Sequence, residues 1–167
     1  MPTKIYLIPS KESEKYLKEY LAKHSIQPPK RIHSTITYNI KSSIFPRKEI
    51  ISKIKDLFPI ILNPKTYLLD FSGEERTITL RYKNGEVTMI NRIVLEEVLR
   101  QMMIKESNLS KENLQVLKDY DKRKVPSTFL EFNPYITISD SLQEKINVNN
   151  LRTPEKPITL DRLLWAM

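Results

Sequence analysis

Two stretches of this chain repeat one pattern, and that repeat limits the folds open to it more than any other feature. Arg31–Tyr38 reads RIHSTITY and Phe132–Ser139 reads FNPYITIS. Each offers a ring residue, a spacer, a threonine, an isoleucine and a hydroxyl residue. The sets are His33, Thr35 and Thr37 in the first copy, and Tyr135, Thr137 and Ser139 in the second. Residues i and i+2 of a strand project from the same face, so each set is expected to point one way. With the two strands side by side, both sets converge on one ligand. Threonine and isoleucine in alternation are ordinary strand composition, because β-branched side chains suit a pleated sheet. The ring residues, 102 positions apart, are what make the copies more than that.

The chain between and around the copies alternates strand and helix patterns. Lys4–Ile8 is apolar and aromatic and reads as a first strand. Ser13–Ser25 follows with Tyr16, Leu17, Tyr20 and Leu21 at helical spacing, and Ser13 as its expected N-cap. Pro46–Phe58 is an amphipathic helix with Pro46 in its first turn. Thr66–Phe71 and Arg76–Tyr82 read as strands, and Asn84-Gly85 as a turn signal. Asn91–Ser107 is the strongest helix, with Ile93, Val94, Val98, Met102 and Met103 on one stripe; the methionines read as core filler. A shorter helix is expected over Ser110–Tyr120, with Ser110 as its cap, and a last strand over Lys156–Met167. The order is β-α-β-α-β-β-α-(α)-β-β. It predicts an α+β fold over 1–167 as one domain, with two similar lobes around a central cleft. Each lobe carries a mainly antiparallel sheet flanked by helices.

A chain of 167 residues buries roughly 68–70% of its unfolded surface, enough for a core without disulfides. It has no cysteine, which excludes thiolate metal sites and a cysteine nucleophile and fits a reducing cytosol. The apolar start is too short for a signal peptide, and no run approaches the ~20 apolar residues of a membrane span. A soluble, cytoplasmic protein is expected. Two glycines exclude a glycine-rich phosphate loop. The formal charge of +8 favours anionic partners, although its lysines are scattered rather than gathered in a nucleic-acid-binding block.

A histidine beside a threonine hydroxyl suits phosphoester chemistry. Imidazole titrates near neutrality and moves a proton, while the hydroxyl donates to a phosphate oxygen. Tyr6, Tyr38 and Trp165 offer faces for base stacking, worth ~1–3 kcal/mol per base; core or rim packing is the plainer use of each. Arg76 and Arg81 are candidates to neutralise phosphate. His24 reads as a capping or surface residue at the end of the first helix. With two histidines, no cysteine and no acid-histidine cluster at ligand spacing, no metal site and no cofactor are expected.

The pair His33-Ser-Thr35-Ile-Thr37-Tyr38 and Pro134-Tyr135-Ile136-Thr137-Ile138-Ser139 resembles the two signature strands of the two-histidine (2H, LigT-like) phosphoesterase superfamily. The spacing and element order resemble that family over essentially the whole chain. The first motif, the proline-marked helix and the last strand are most similar to phage anti-CBASS phosphodiesterases, which degrade cyclic nucleotide immune signals. The resemblance implies His33 and position 135 as the acid–base pair, with Thr35 and Thr137 holding the phosphate. Thr37, Tyr38, Ser139, Tyr6 and Trp165 would then line the substrate site.

The departure is Tyr135, where the family has its second histidine. A phenol has a reference pKa of about 10, so at neutral pH it is a poor base but a proton donor. Three readings stay open: a replacement that traps ligand, a weakened domain that only binds, or Tyr135 as acid to His33 as base. The leading expectation is a metal-independent phosphodiesterase acting on a cyclic di- or trinucleotide or another 2′-5′ or 3′-5′ phosphodiester, with no membrane or stable protein partner. The alternatives are a non-catalytic module that sequesters the signal and a protein that processes RNA ends.

Overall fold

The computed structural model describes residues 2–41, 47–72, 77–104, 132–139 and 151–166. Strand β1 (Pro2–Pro9) leads into helix α1 (Lys11–Lys23), and β2 (Ser34–Lys41) precedes α2 (Arg47–Ile54). A 3-10 turn, Lys55–Leu57, and a second, Pro64–Thr66, flank the short β3 (Ile60–Leu62). Then come β4 (Leu68–Ser72), β5 (Thr77–Arg81), α3 (Gly85–Ile104), β6 (Tyr135–Ser139) and β7 (Ile158–Ala166). Among the described residues the strands form one seven-stranded sheet in the order β3-β7-β1-β2-β6-β5-β4. Every neighbouring pair is antiparallel, so the α+β expectation with antiparallel pairing holds. The helix expected over 110–120 lies outside the described residues, as does Pro46.

Alternation explains why the sheet has one dry face. Ile5 and Leu7 of β1, Ile36 of β2, Ile78 and Leu80 of β5 and Ile136 and Ile138 of β6 are fully buried. They join Leu17 and Leu21 of α1, Ile50 of α2 and Val87, Ile90, Val94 and Val98 of α3 in a single apolar cluster. Each such side chain contributes about 1.5–3 kcal/mol when buried. Beneath the helices, Glu97 of α3 is 2% exposed and is held by Lys53 of α2 and by Arg100 at 2.6 Å. These cations hold its carboxyl below the usual carboxylate range, the hydrogen bond from Lys53 being the larger cause. The ion pair fastens α2 to α3.

Two helix starts differ from expectation. Ser10, not Ser13, caps α1: its Oγ accepts the Ser13 N–H at 3.2 Å. Ser13 turns inward instead, and its Oγ accepts the Thr159 N–H of β7 at 2.8 Å. Asn84-Gly85 opens α3 rather than a hairpin. The Asn84 Oδ1 accepts the Val87 N–H at 3.0 Å and satisfies one of the donors every helix start leaves over. The helical period of Val87, Ile90, Val94 and Val98 begins at once, leaving no second strand for a hairpin. At the other end of α1, Ser25 adopts φ 56° and lets the Ile26 N–H reach Leu21 O at 2.9 Å. His24 is the C-cap residue there, its ring edge-on to Tyr20. Among the described residues no helix is long and apolar enough to cross a membrane.

Candidate functional site

The two motif strands meet at the middle of the sheet. Ser34 of β2 pairs with Ile136 of β6, and both side chains are buried. Continuing the antiparallel register by one residue each way sets His33 against Thr137 and Thr35 against Tyr135. All four lie on the face opposite the apolar cluster and are half-buried. Neighbouring strands extend that face. Tyr6 of β1 stands across from Thr35. Thr79 and Arg81 of β5 stand across from Thr137 and Tyr135.

The surroundings of His33 orient it. The Tyr6 ring lies against the imidazole at 4.1 Å between centroids, tilted by 45°. Nδ1 is 3.1 Å from the Arg31 carbonyl oxygen. A carbonyl only accepts, so Nδ1 carries the hydrogen and Nε2 the basic lone pair. On the far side, Arg81 is fastened by Asp70, its Nε at 2.8 Å and its terminal nitrogen at 2.7 Å from Oδ2. Asp70 pairs in register with Thr79, itself across from Thr137, and Arg81 stands across from Tyr135, so the charged pair lies on the strands beside β6. Arg76 lies outside the described residues.

Polar groups on the core side tie the motifs together, and the sequence reading missed them. Ser34, the spacer between His33 and Thr35, donates from Oγ to the Tyr135 carbonyl at 2.9 Å. Its single proton is thereby used, so the Tyr82 hydroxyl at 2.6 Å donates to Ser34. The Tyr82 N–H also reaches Pro134 O at 3.2 Å. Burial pushes the Tyr82 phenol well above its ordinary value. Asn91 of α3 donates to Ile36 O at 3.0 Å, beside the irregularity where β2 steps from Tyr6–Thr35 to Ile5–Thr37 pairing. Alternation from His33 does predict an inward Ser34; nothing in the sequence names its partners.

Not every expected residue joins this face. Ser139 is 2% exposed and pairs with the buried Ile78, because a register shift separates that pair from Thr79–Thr137. The i, i+2 rule fails across such an irregularity. Trp165 pairs with the buried Ile5 and so belongs to the other face, where Arg47 of α2 sits 5.3 Å over its ring. Tyr6 is present, but its ring supports His33. The side chains of Thr37 and Tyr38 lie outside the described residues. Among the described residues no group of three His, Cys, Asp or Glu gathers as a metal site.

No family model and no curated protein matches the chain. Solved structures do. The E. coli LigT complexed with ATP shares 11% identity at a TM-score of 0.56, covering 98% of this chain and 85% of that one. The E. coli LigT complexed with 3′-AMP gives 9% and 0.54, over 98% and 84%. A structure described as a phosphoesterase gives 11% and 0.56, over 98% and 86%. At such identities the likeness is one of fold: this chain has a LigT-like α+β fold.

Proposed function

We propose that the chain is a phosphodiesterase of the two-histidine kind, altered at one of its two proton-transfer positions. The observation that carries this is the central register, in which two ring-and-threonine sets face each other on an open polar surface. The LigT-like fold supports it, as do the phosphate, ATP, 3′-AMP and NADP+ bound by E. coli LigT. In this reading residues 1–167 work as one unit, and the halves of the sheet on either side of the β2–β6 seam act as two lobes about the substrate. Nε2 of His33 takes the proton of an attacking hydroxyl, from water or a ribose 2′ position. That oxygen bonds to phosphorus as the ester bond breaks, and the Tyr135 phenol donates its proton to the departing oxygen. Thr35 and Thr137 donate to the non-bridging oxygens, and Arg81, held by Asp70, borders them with positive charge. No step in this scheme needs a metal ion.

The proposed substrate is a cyclic di- or trinucleotide or another 2′-5′ or 3′-5′ oligonucleotide. Its proposed setting is a host cytoplasm, where a phage protein of this kind removes a bacterial immune signal. Incubation with a panel of such nucleotides, with separation of products and retained ligand, tests this. Linear products that vanish in His33→Ala support the enzyme. Tyr135, a poor base by its residue type, favours one other reading: a module that sequesters the nucleotide. Ligand recovered intact from tight complexes would select it, and neither turnover nor retention would sink both.

A further inference from the structure

We propose that Tyr82 is a positioning residue, which sets the distance between the two motif strands through Ser34. The inference rests on the site read above and adds a residue that lies outside both motifs and never meets the substrate.

The seam between the strands is short. Among the described residues β2 and β6 share the single register pair Ser34–Ile136, whereas β4 and β5 pair without a break from Leu68–Arg81 to Ser72–Thr77. With so little ladder, the register across the seam depends on packing and on side-chain bonds more than it does between β4 and β5. Among the described residues, a hydrogen-bond chain also spans the seam, from the Tyr82 hydroxyl to Ser34 Oγ and on to the Tyr135 carbonyl. Ser34 is 0% exposed and Tyr82 2%, so water does not substitute for either bond. The chain joins three strands: Ser34 is in β2, Tyr135 in β6, and Tyr82 directly follows β5. Two of its three groups belong to the motifs themselves. Ser34 lies between His33 and Thr35, and the accepting carbonyl belongs to Tyr135 itself. A second bond, Tyr82 N–H to Pro134 O, holds the start of β6 from the same residue. Moving the phenol therefore moves one motif relative to the other.

Removing one partner of a buried hydrogen bond strands the other, whereas removing both is close to neutral for stability. Stability and function are thus separable. The variants are Tyr82→Phe, Ser34→Ala and the double variant, with Tyr67→Phe as control. Tyr67 is also buried and its phenol acts on that of Tyr82. Its hydroxyl, however, accepts the Ile158 N–H at 3.0 Å, outside the Ser34 chain, so Tyr67→Phe removes a neighbouring buried phenol and leaves both bonds of the clamp intact. With the best substrate of the panel, Tyr82→Phe and Ser34→Ala are expected to lower kcat about 10- to 100-fold, the scale of a misplaced reacting group. KM should move about threefold or less, since the threonines remain. The double variant should recover only part of the thermal midpoint lost in Ser34→Ala, because it removes the stranded Tyr82 hydroxyl while the Tyr135 carbonyl still lacks the Ser34 donor. It should not recover kcat, and Tyr67→Phe should keep parental kcat. A kcat that follows the midpoint across the series, or falls equally in Tyr67→Phe, overturns the proposal. If the parent neither turns over nor retains any nucleotide, the proposed function fails and the clamp is read by NMR. Tyr82→Phe should then shift the His33 and Tyr135 ring resonances while Tyr67→Phe leaves them in place. Unshifted rings in Tyr82→Phe overturn it.

Discussion

At the scale of single residues, the proposed site rests on four side chains whose proposed roles separate in experiment. Thr35→Ala and Thr137→Ala should each weaken nucleotide binding tenfold or more, since a hydrogen bond to a charged group is worth about 1.5–3 kcal/mol. Both remove half-buried hydroxyls from the polar face, so the thermal midpoint should hardly move. Calorimetric titration with 3′-AMP checks this, and unchanged affinity in both would remove the threonines from the site. Tyr135→His should raise turnover by roughly 10²–10⁴-fold, the usual contribution of a general acid or base. A rate as slow as the parent's at equal affinity would favour the sequestering module. The common facing of these four positions was legible because strict alternation governs His33–Thr35 and Tyr135–Thr137. Ser139 and Trp165 were not, because their facing is decided by partner strands. A register shift turns Ser139 toward Ile78, and pairing with Ile5 carries Trp165 to the helix side.

Elements make their own predictions, at their ends and at their contacts. Asn84→Ala removes the side-chain acceptor at the start of α3 and should cost about 1 kcal/mol, lowering the thermal midpoint by roughly 2–4 °C at this chain length. Glu97 gives a pH-dependent test. Its carboxyl is held below the ordinary range by Lys53 and Arg100, so its stabilisation is complete above that range and fades as pH falls through the lowered value. The midpoint difference between parent and Glu97→Gln should accordingly be largest near neutrality and shrink on acidification. A difference that stays constant down to about pH 3 would show that the ion pair contributes nothing through its charge. Long periodic helices such as α3 were legible in outline, but their starts were not. Ser10 and Ser13 are equally good caps by composition, and the choice falls to β7, whose Thr159 N–H takes Ser13. Strand β3 is too short to show a period: Ile60, Ile61 and Leu62 are all apolar, yet only the outer two are buried.

For the whole molecule, the strand order matters more than any one contact. β7 lies inside the sheet, between β3 and β1, and supplies the buried Ile158 and Leu160. A chain ending before Ile158 should therefore lose its cooperative thermal transition, although it keeps every motif residue; a sharp transition in that truncation would contradict the topology. The same arrangement has a consequence for synthesis. β1 is made about 150 residues before β7 and must wait for it to cover its open edge. At about 5–20 residues per second that wait is on the order of ten seconds or more, during which an unpaired strand edge is available to any other nascent chain. Anything that stalls the ribosome before β7 lengthens that exposure, so the yield of soluble protein should respond to the codons that precede Ile158 as strongly as to the residues of the core.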